Sequence, residues 1–219
     1  MGASCRHVSK THLAVSGPVL ALSEVSLEIP GGAVTVVLGR SGSGKSTLLR
    51  LMACLDRPDT GEIVVDGVEV GALSERGRRE LRRTAVGYVC SRPSDNLLPY
   101  LCAIDQVTLA ADLRGLAPDA ADGVLERLGL GHRLTFLPEE LSGGERQRLA
   151  FAAAAVGNPR LLVADEPTAE LDTSAVVEIL AVLGELAAAG SAVLVATHDH
   201  RLLGVADQVV RIDAGRVSR

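Results

Sequence analysis

Apolar positions along this chain follow two rhythms, one with the two-residue period of strands and one with helical spacing. Val25, Leu27 and Ile29 alternate with polar residues and stop at Pro30-Gly31-Gly32, which reads as a half-buried strand running into a turn. Ala33 to Leu38 then forms an unbroken, largely β-branched run, the pattern of a strand covered on both faces. Leu48, Leu49, Leu51, Met52 and Leu55 recur at helical spacing and predict a helix from about Ser46. Asp59-Thr60-Gly61 closes that segment, and Glu62–Val65 and Val68–Val70 flank Asp66-Gly67 as a hairpin with a tight turn. Strand-like runs return at Gly87–Cys90, Leu161–Ala164 and Ala192–Thr197. A helix is expected near Ser174–Ala189 and a last hairpin around Asp213-Ala214-Gly215. Strands interleaved with helices predict an α/β fold.

After Cys90 the rhythm becomes helical. Ala103–Leu113 and Asp119–Leu128 carry helix patterns, a further helix opens at Ser142, and Pro118, Gly129, Gly131 and Pro138 break the chain between them. A helical subdomain of about 91–158 is therefore expected within an α/β core of about 8–90 and 159–219, as one domain over 8–219. With 219 residues the chain can bury about 70% of its unfolded surface. Apolar residues make up 47% of it, but there are only two Phe, two Tyr and no Trp, so the core must be built from Leu, Val and Ala.

Charge and cysteine content narrow the function classes. A net charge of −5 gives no electrostatic footprint for nucleic acid, and scarce aromatics leave no platforms for base stacking. Arg76, Arg78, Arg79, Arg82 and Arg83 interleave with Glu75 and Glu80, which reads as a solvated helix face, with a phosphate patch or a protein-docking surface as the alternatives. Cys5, Cys54, Cys90 and Cys102 show no metal-ligand spacing and read as free thiols, mostly buried, in a reducing cytoplasm. The opening residues lack the apolar stretch of a secretory signal, Arg6 stands where a myristoylation motif needs Ser or Thr, and no run of about 18 apolar residues predicts a membrane span. His200 is expected at a solvent-facing helix start, and His7 and His132 receive no role.

Three constellations carry chemistry. Gly39-Arg40-Ser41-Gly42-Ser43-Gly44-Lys45-Ser46 fits GxxxxGK[ST] between a buried strand and a helix. Glycines there let successive N–H groups face one anion, Lys45 adds a charge for β and γ phosphates, the Ser46 hydroxyl suits Mg2+, and the helix start adds its positive end. Leu161–Ala164 brings Asp165 to the end of a core strand, where it can hold Mg2+, and Glu166 follows as a second carboxylate suited to orient an attacking water. Pro167 biases Glu166 toward extended geometry. Ser142-Gly143-Gly144-Glu145 has the form of a capping box, yet two glycines cost helix propensity of about 1 kcal/mol each, which is sensible if the backbone must approach an anion.

In this order, the glycine loop, the run Leu141–Arg148 and the acidic strand end resemble the ATP-binding subunits of ABC transporters, from about Val8 to Arg216. The resemblance implies a P-loop NTPase fold of the ABC type, with an antiparallel β subdomain and the inserted helical subdomain, using ATP and Mg2+. It makes Glu166 the catalytic carboxylate and His198, in Thr197-His198-Asp199, the histidine that contacts the γ-phosphate. Gly39, Arg40, Ser41, Gly42, Ser43, Gly44, Lys45, Ser46 and Thr47 would hold the nucleotide, with Ser46 and Asp165 on the metal. His12 stands where relatives place an adenine-stacking aromatic. Ser142, Gly143 and Gly144 would close on the nucleotide of a second subunit, and Asp172 of Ala169-Glu170-Leu171-Asp172 would lie along that two-fold interface.

One departure stands out. Relatives end a strand in Gly-Tyr-Val-Phe-Gln, whereas this chain has Gly87-Tyr88-Val89-Cys90-Ser91; Asn96-Leu97-Leu98-Pro99 keeps the register beyond it. That run and Leu55–Gly61 are similar to the lipoprotein-release and macrolide-efflux group. The implied partners are a membrane-spanning transporter subunit and a second copy of the chain, or a related ATP-binding subunit, at the cytoplasmic face of the plasma membrane. Two other readings stay open: a slow, regulatory ATP-binding module, suggested by Ser91 and His12, and a soluble ABC ATPase outside transport.

Overall fold

The computed structural model describes residues 2–15, 17–117, 119–169 and 171–218. The chain opens as a long hairpin of β1 (Ala3–Ala14) and β2 (Gly17–Ile29), paired antiparallel from Ala3↔Ile29 to Ala14↔Gly17. Periodicity marks only the last part of β2. Register shifts interrupt the pairing, and His7 and Glu24 take positive φ of 49° and 54°, so alternation is lost where the hairpin bulges. With β4 (Thr60–Val65) and β5 (Val68–Glu69) it forms an antiparallel sheet in the order β2-β1-β4-β5.

The second sheet follows the order β10-β9-β3-β8-β7-β6. Here β3 is Ala33–Leu38, β6 Val86–Val89, β7 Leu161–Asp165, β8 Ala192–Thr197, β9 Gln208–Asp213 and β10 Arg216–Ser218. β9, β3, β8, β7 and β6 run parallel, and β10 returns antiparallel to β9. Parallel registers that pair Leu38 with Thr197, Asp165 with Ala196 and Val89 with Ala164 bring the ends of four strands to one edge. Ligands of open α/β sheets bind outside such carboxyl ends.

Alternate strand residues enter two separate cores. Val36, Ala164 and Val195 join one side, where α3 (Ala103–Leu113), α4 (Ala120–Arg127), α5 (Gly143–Ala155) and α6 (Thr173–Ala188) pack. Val37, Val163 and Leu194 join the other with Leu48, Leu49 and Met52 of α1 (Lys45–Met52) and the antiparallel sheet. Phe151 is wholly buried, and the rest of both clusters is dominated by Leu, Val, Ile and Ala.

The arginine-rich segment forms α2 (Glu75–Ala85), started by Ser74, whose hydroxyl accepts the Gly77 N–H. A solvated face describes Arg76, Arg79 and Arg83 but not Arg78, which is 6% exposed and ion-paired with Glu75. Arg82 also turns inward and donates to the Cys54 carbonyl at 2.6 Å. All four cysteines are free, with Cys5 and Cys54 buried and their thiols pushed up to about 11 by that burial. Among the described residues no helix is long and apolar enough to cross a membrane.

Candidate ATP site

The loop from Gly39 to Gly44 leaves β3 and turns directly into α1. Gly44 has φ of 104°, and a Cβ there would stand 2.4 Å from the Ala21 carbonyl oxygen, so conformation and space both demand glycine. Gly42, at φ 77°, faces open space. Lys45 is almost buried, and its ammonium donates to the carbonyls of Gly39 at 2.8 Å and Arg40 at 3.2 Å. The buried Ser43 hydroxyl has no protein partner.

Beside this loop β7 delivers two carboxylates. Burial raises the Asp165 carboxyl above its usual range, a hydrogen bond from Ser46 opposes the shift, and the adjacent Glu166 charge adds to it. Glu166 is not extended as Pro167 suggested. Its φ is 49°, because the chain leaves the sheet at this residue while its N–H still reaches the Ala196 carbonyl at 2.8 Å. A left-handed non-glycine residue costs roughly 1–2 kcal/mol. The end of β8 offsets that cost: Glu166 Oε2 accepts Thr197 Oγ1 at 3.0 Å and the His198 N–H at 3.2 Å, and Oε1 lies 2.9 Å from His198 Nδ1. Thr197 Oγ1 in turn accepts the Asp199 N–H, and Asp199 accepts Thr168 Oγ1 at 2.9 Å, so the two strand ends are bonded into one unit.

A cavity of about 580 Å³ brings together Lys45, Ser46, Asp165, Glu166 and His198 with the glycine loop and Ser91. Val19, Leu20 and Ala21 of β2 complete its wall. They escaped the sequence reading, since only recognition of the first hairpin explains apolar side chains left 50% and 57% exposed at Val19 and Leu20. His12 is directly opposite Val19 in that hairpin, with Nε2 3.2 Å from Thr47 Oγ1.

Ser142, Gly143, Gly144 and Asp172 do not line this cavity. They form a second locus at the starts of α5 and α6. Ser142 Oγ accepts the Glu145 N–H at 3.2 Å while Glu145 Oε2 accepts the Ser142 N–H at 2.8 Å, the reciprocal capping box expected. Asp172 caps α6, accepting the Ala175 N–H at 2.8 Å and Ser174 Oγ at 2.7 Å. A Cβ on Gly144 would lie 3.3 Å from Leu171 Cδ2, so the two helix starts abut. Glu170 of the expected interface segment Ala169–Asp172 lies outside the described residues.

A strand-bound glycine loop, an acidic strand end two places along the sheet and a separate glycine-rich helix start define an ATP-binding cassette. Residues 22–169 match the family described as ABC transporter. The chain belongs to that family, as one of its ATP-binding and ATP-hydrolysing subunits. It is 40% identical over 219 residues to the lipoprotein-releasing system ATP-binding protein LolD of Pseudomonas syringae pv. tomato, covering 98% of this chain and 96% of that protein. It is 40% identical over 216 residues to the macrolide export ATP-binding/permease protein MacB 1/2 of Paracoccus denitrificans. That match takes in 97% of this chain, which spans only 32% of the MacB protein. Among solved structures, the cassette MJ0796 in a dimeric post-hydrolysis state bound to ADP and Pi superposes with a TM-score of 0.93 at 31% identity, over 99% of this chain and 97% of that one.

Proposed function

We propose that two copies of this chain, or one copy and a related subunit, close on ATP and hydrolyse it to drive a separate membrane-spanning subunit. The convergence of Lys45, Ser46, Asp165, Glu166 and His198 on one cavity, with Ser142-Gly143-Gly144 outside it, carries this reading. One chain supplies a complete phosphate cradle but leaves its second anion-reading backbone unused by its own site. A two-fold pairing satisfies both, since each signature start then meets the other copy's nucleotide. The dimeric MJ0796 cassette supports the two-copy assembly, and the name of MacB, an export ATP-binding/permease protein, supports work beside a permease and so a place at the inner face of the membrane.

The residues present fit the nucleotide and its cation. Loop N–H groups and the Lys45 ammonium offer donors to phosphate oxygens. Ser46 and Asp165 would hold Mg2+, which supplies charge neutralisation at the phosphates. A carboxyl raised by burial and by the neighbouring Glu166 charge is relieved by such a cation.

Glu166 then orients the attacking water and takes its proton, a contribution of about 10²–10⁴-fold. His198 holds one Glu166 oxygen and reaches the γ-phosphate, while Thr197 fixes the other. His12 stacks on the base beside Val19 and Leu20. Gly39–Thr47 bind the nucleotide, Asp172 lies along the subunit interface, and helices within about 91–158 form a subdomain inserted in the core. Glu166→Gln tests the reading. It removes the base and leaves the phosphate cradle, so turnover should fall by at least a hundred-fold while ATP drives the chain into a dimer seen by gel filtration. Hydrolysis near the parent rate, or a monomer at saturating ATP, overturns it.

A further inference from the structure

Outside the nucleotide cavity, one charged pair sits directly under the signature start. Arg133 Nε donates to Glu145 Oε1 at 2.8 Å, the carboxylate oxygen that Ser142 does not use. The Glu145 side chain is 12% exposed, and the Arg133 guanidinium also stacks 4.7 Å over the Phe136 ring. His132 Nε2 is 4.0 Å from the same oxygen, too far to replace that bond.

The loop that carries Arg133 is itself bonded to the start of α3. The Ala103 and Ile104 N–H groups, unpaired by the helix, donate to the Phe136 and Leu134 carbonyls, both at 2.9 Å. One turn on, the buried Gln106 amide accepts the Leu98 N–H at 3.0 Å and donates to the Leu98 and Leu101 carbonyls at 2.7 and 3.2 Å. Asn96 closes the chain to β6, accepting the Cys90 N–H at 2.7 Å and donating to the Tyr88 carbonyl at 2.8 Å. Short stretches of backbone joined by these hydrogen bonds thus connect the strand end beside Ser91, through residues 96–106, to Arg133, Glu145 and Ser142.

We infer that Arg133 is a positioning residue for ATP hydrolysis: through Glu145 it holds Ser142 and the Gly143-Gly144 backbone in register with the loop after β6. The inference rests on the reading that Ser142 faces the nucleotide of a second subunit. Without Arg133 the capping box remains, with Glu145 Oε2 still on the Ser142 N–H, but Oε1 loses its partner and with it the side-chain tie from the helix start to the loop bonded to α3. Misplacement of a charge-stabilising backbone by about 1 Å costs up to a hundred-fold in rate.

Arg133→Ala should therefore lower kcat by about ten-fold or more, with the nucleotide Kd of the isolated chain unchanged. Arg133→Lys should recover part of the rate, because an ammonium can meet Glu145 without the fixed fork. The effects of Arg133→Ala and Glu145→Gln should be non-additive, which a general loss of stability would not produce. Thermal melts of all three guard against misfolding. In a Glu166→Gln background, Arg133→Ala should also raise the ATP concentration needed for dimerisation. If the Glu166→Gln dimer forms with ATP and Arg133→Ala neither weakens it nor slows turnover, the inference is wrong while the two-copy reading stands. If Glu166→Gln itself stays monomeric, the two-copy reading has failed. Additive effects in the double variant overturn the route through Glu145.

Discussion

Ser91→Gln should raise kcat by a few-fold to tens-fold with little change in nucleotide Kd. Ser91 lines the cavity alongside Asp165 and Glu166, and the backbone beside it is held by the two Asn96 bonds to Tyr88 and Cys90. With the backbone held, side-chain length decides what this position can touch. A glutamine amide extends roughly 2.5 Å beyond a serine hydroxyl, about two carbon–carbon bonds at tetrahedral angles. One hydrogen bond to a charged group contributes about 1.5–3 kcal/mol, and ordering a glutamine side chain costs up to about 2 kcal/mol. With about half of that ordering cost incurred, the net is about 0.5–2 kcal/mol, which corresponds to the rise stated, and it falls on kcat if the bond forms only as hydrolysis proceeds. Phosphate release at saturating ATP, with and without the membrane subunit, measures kcat, and fluorescent-nucleotide titration measures Kd. An unchanged or lower kcat in the complex refutes the reasoning and shows a site rebuilt around the serine.

Two further outcomes are expected. Ser142→Arg should abolish hydrolysis while sparing nucleotide binding, and mixing it with a Lys45→Ala chain should restore part of the activity, because one composite site then receives both lesions and the other neither. No rescue in phosphate-release assays of the mixture, with both variants still binding each other, contradicts the shared site. The Glu145 carboxyl is lowered from 4.5 to about 2, first by the Ser142 backbone N–H, against the opposing effect of burial, and then by Arg133 and Ser142 Oγ. A lowered carboxyl stabilises the fold above about pH 4.5, and that contribution is lost as pH falls toward about 2. Glu145→Gln should accordingly unfold at lower urea than the parent at pH 7, with the gap shrinking below pH 4; a gap constant from pH 7 to 3 counts against it.

What the sequence revealed depended on where each signal was stored. β8 and α3 were legible to the residue, because Ala192–Ala196 is apolar throughout with Thr197 closing it, and Ala103–Leu113 is bounded by clear breaks. The glycine loop was legible because its residue types are dictated by backbone geometry. β1 was not, since Ser9, Lys10, Thr11 and His12 satisfy a partly exposed, bulged hairpin rather than a two-sided core. The left-handed Glu166 was also hidden: proline bias is local, whereas the donors that turn the residue lie on β8. The Arg133–Glu145 bond left no trace in any periodic pattern, because it joins a loop to a helix start.

The six-stranded sheet also works as a partition. Helix α1, into which the phosphate loop runs, is rooted in the hydrophobic cluster on one side of it, whereas the signature helix α5 is rooted in the other. A change in the helices of one half can therefore be absorbed without repacking the half that grips the nucleotide. Such a molecule can exchange its dealings with neighbouring proteins while its grip on ATP stays as it was, in the way a drill accepts new bits on an unchanged motor.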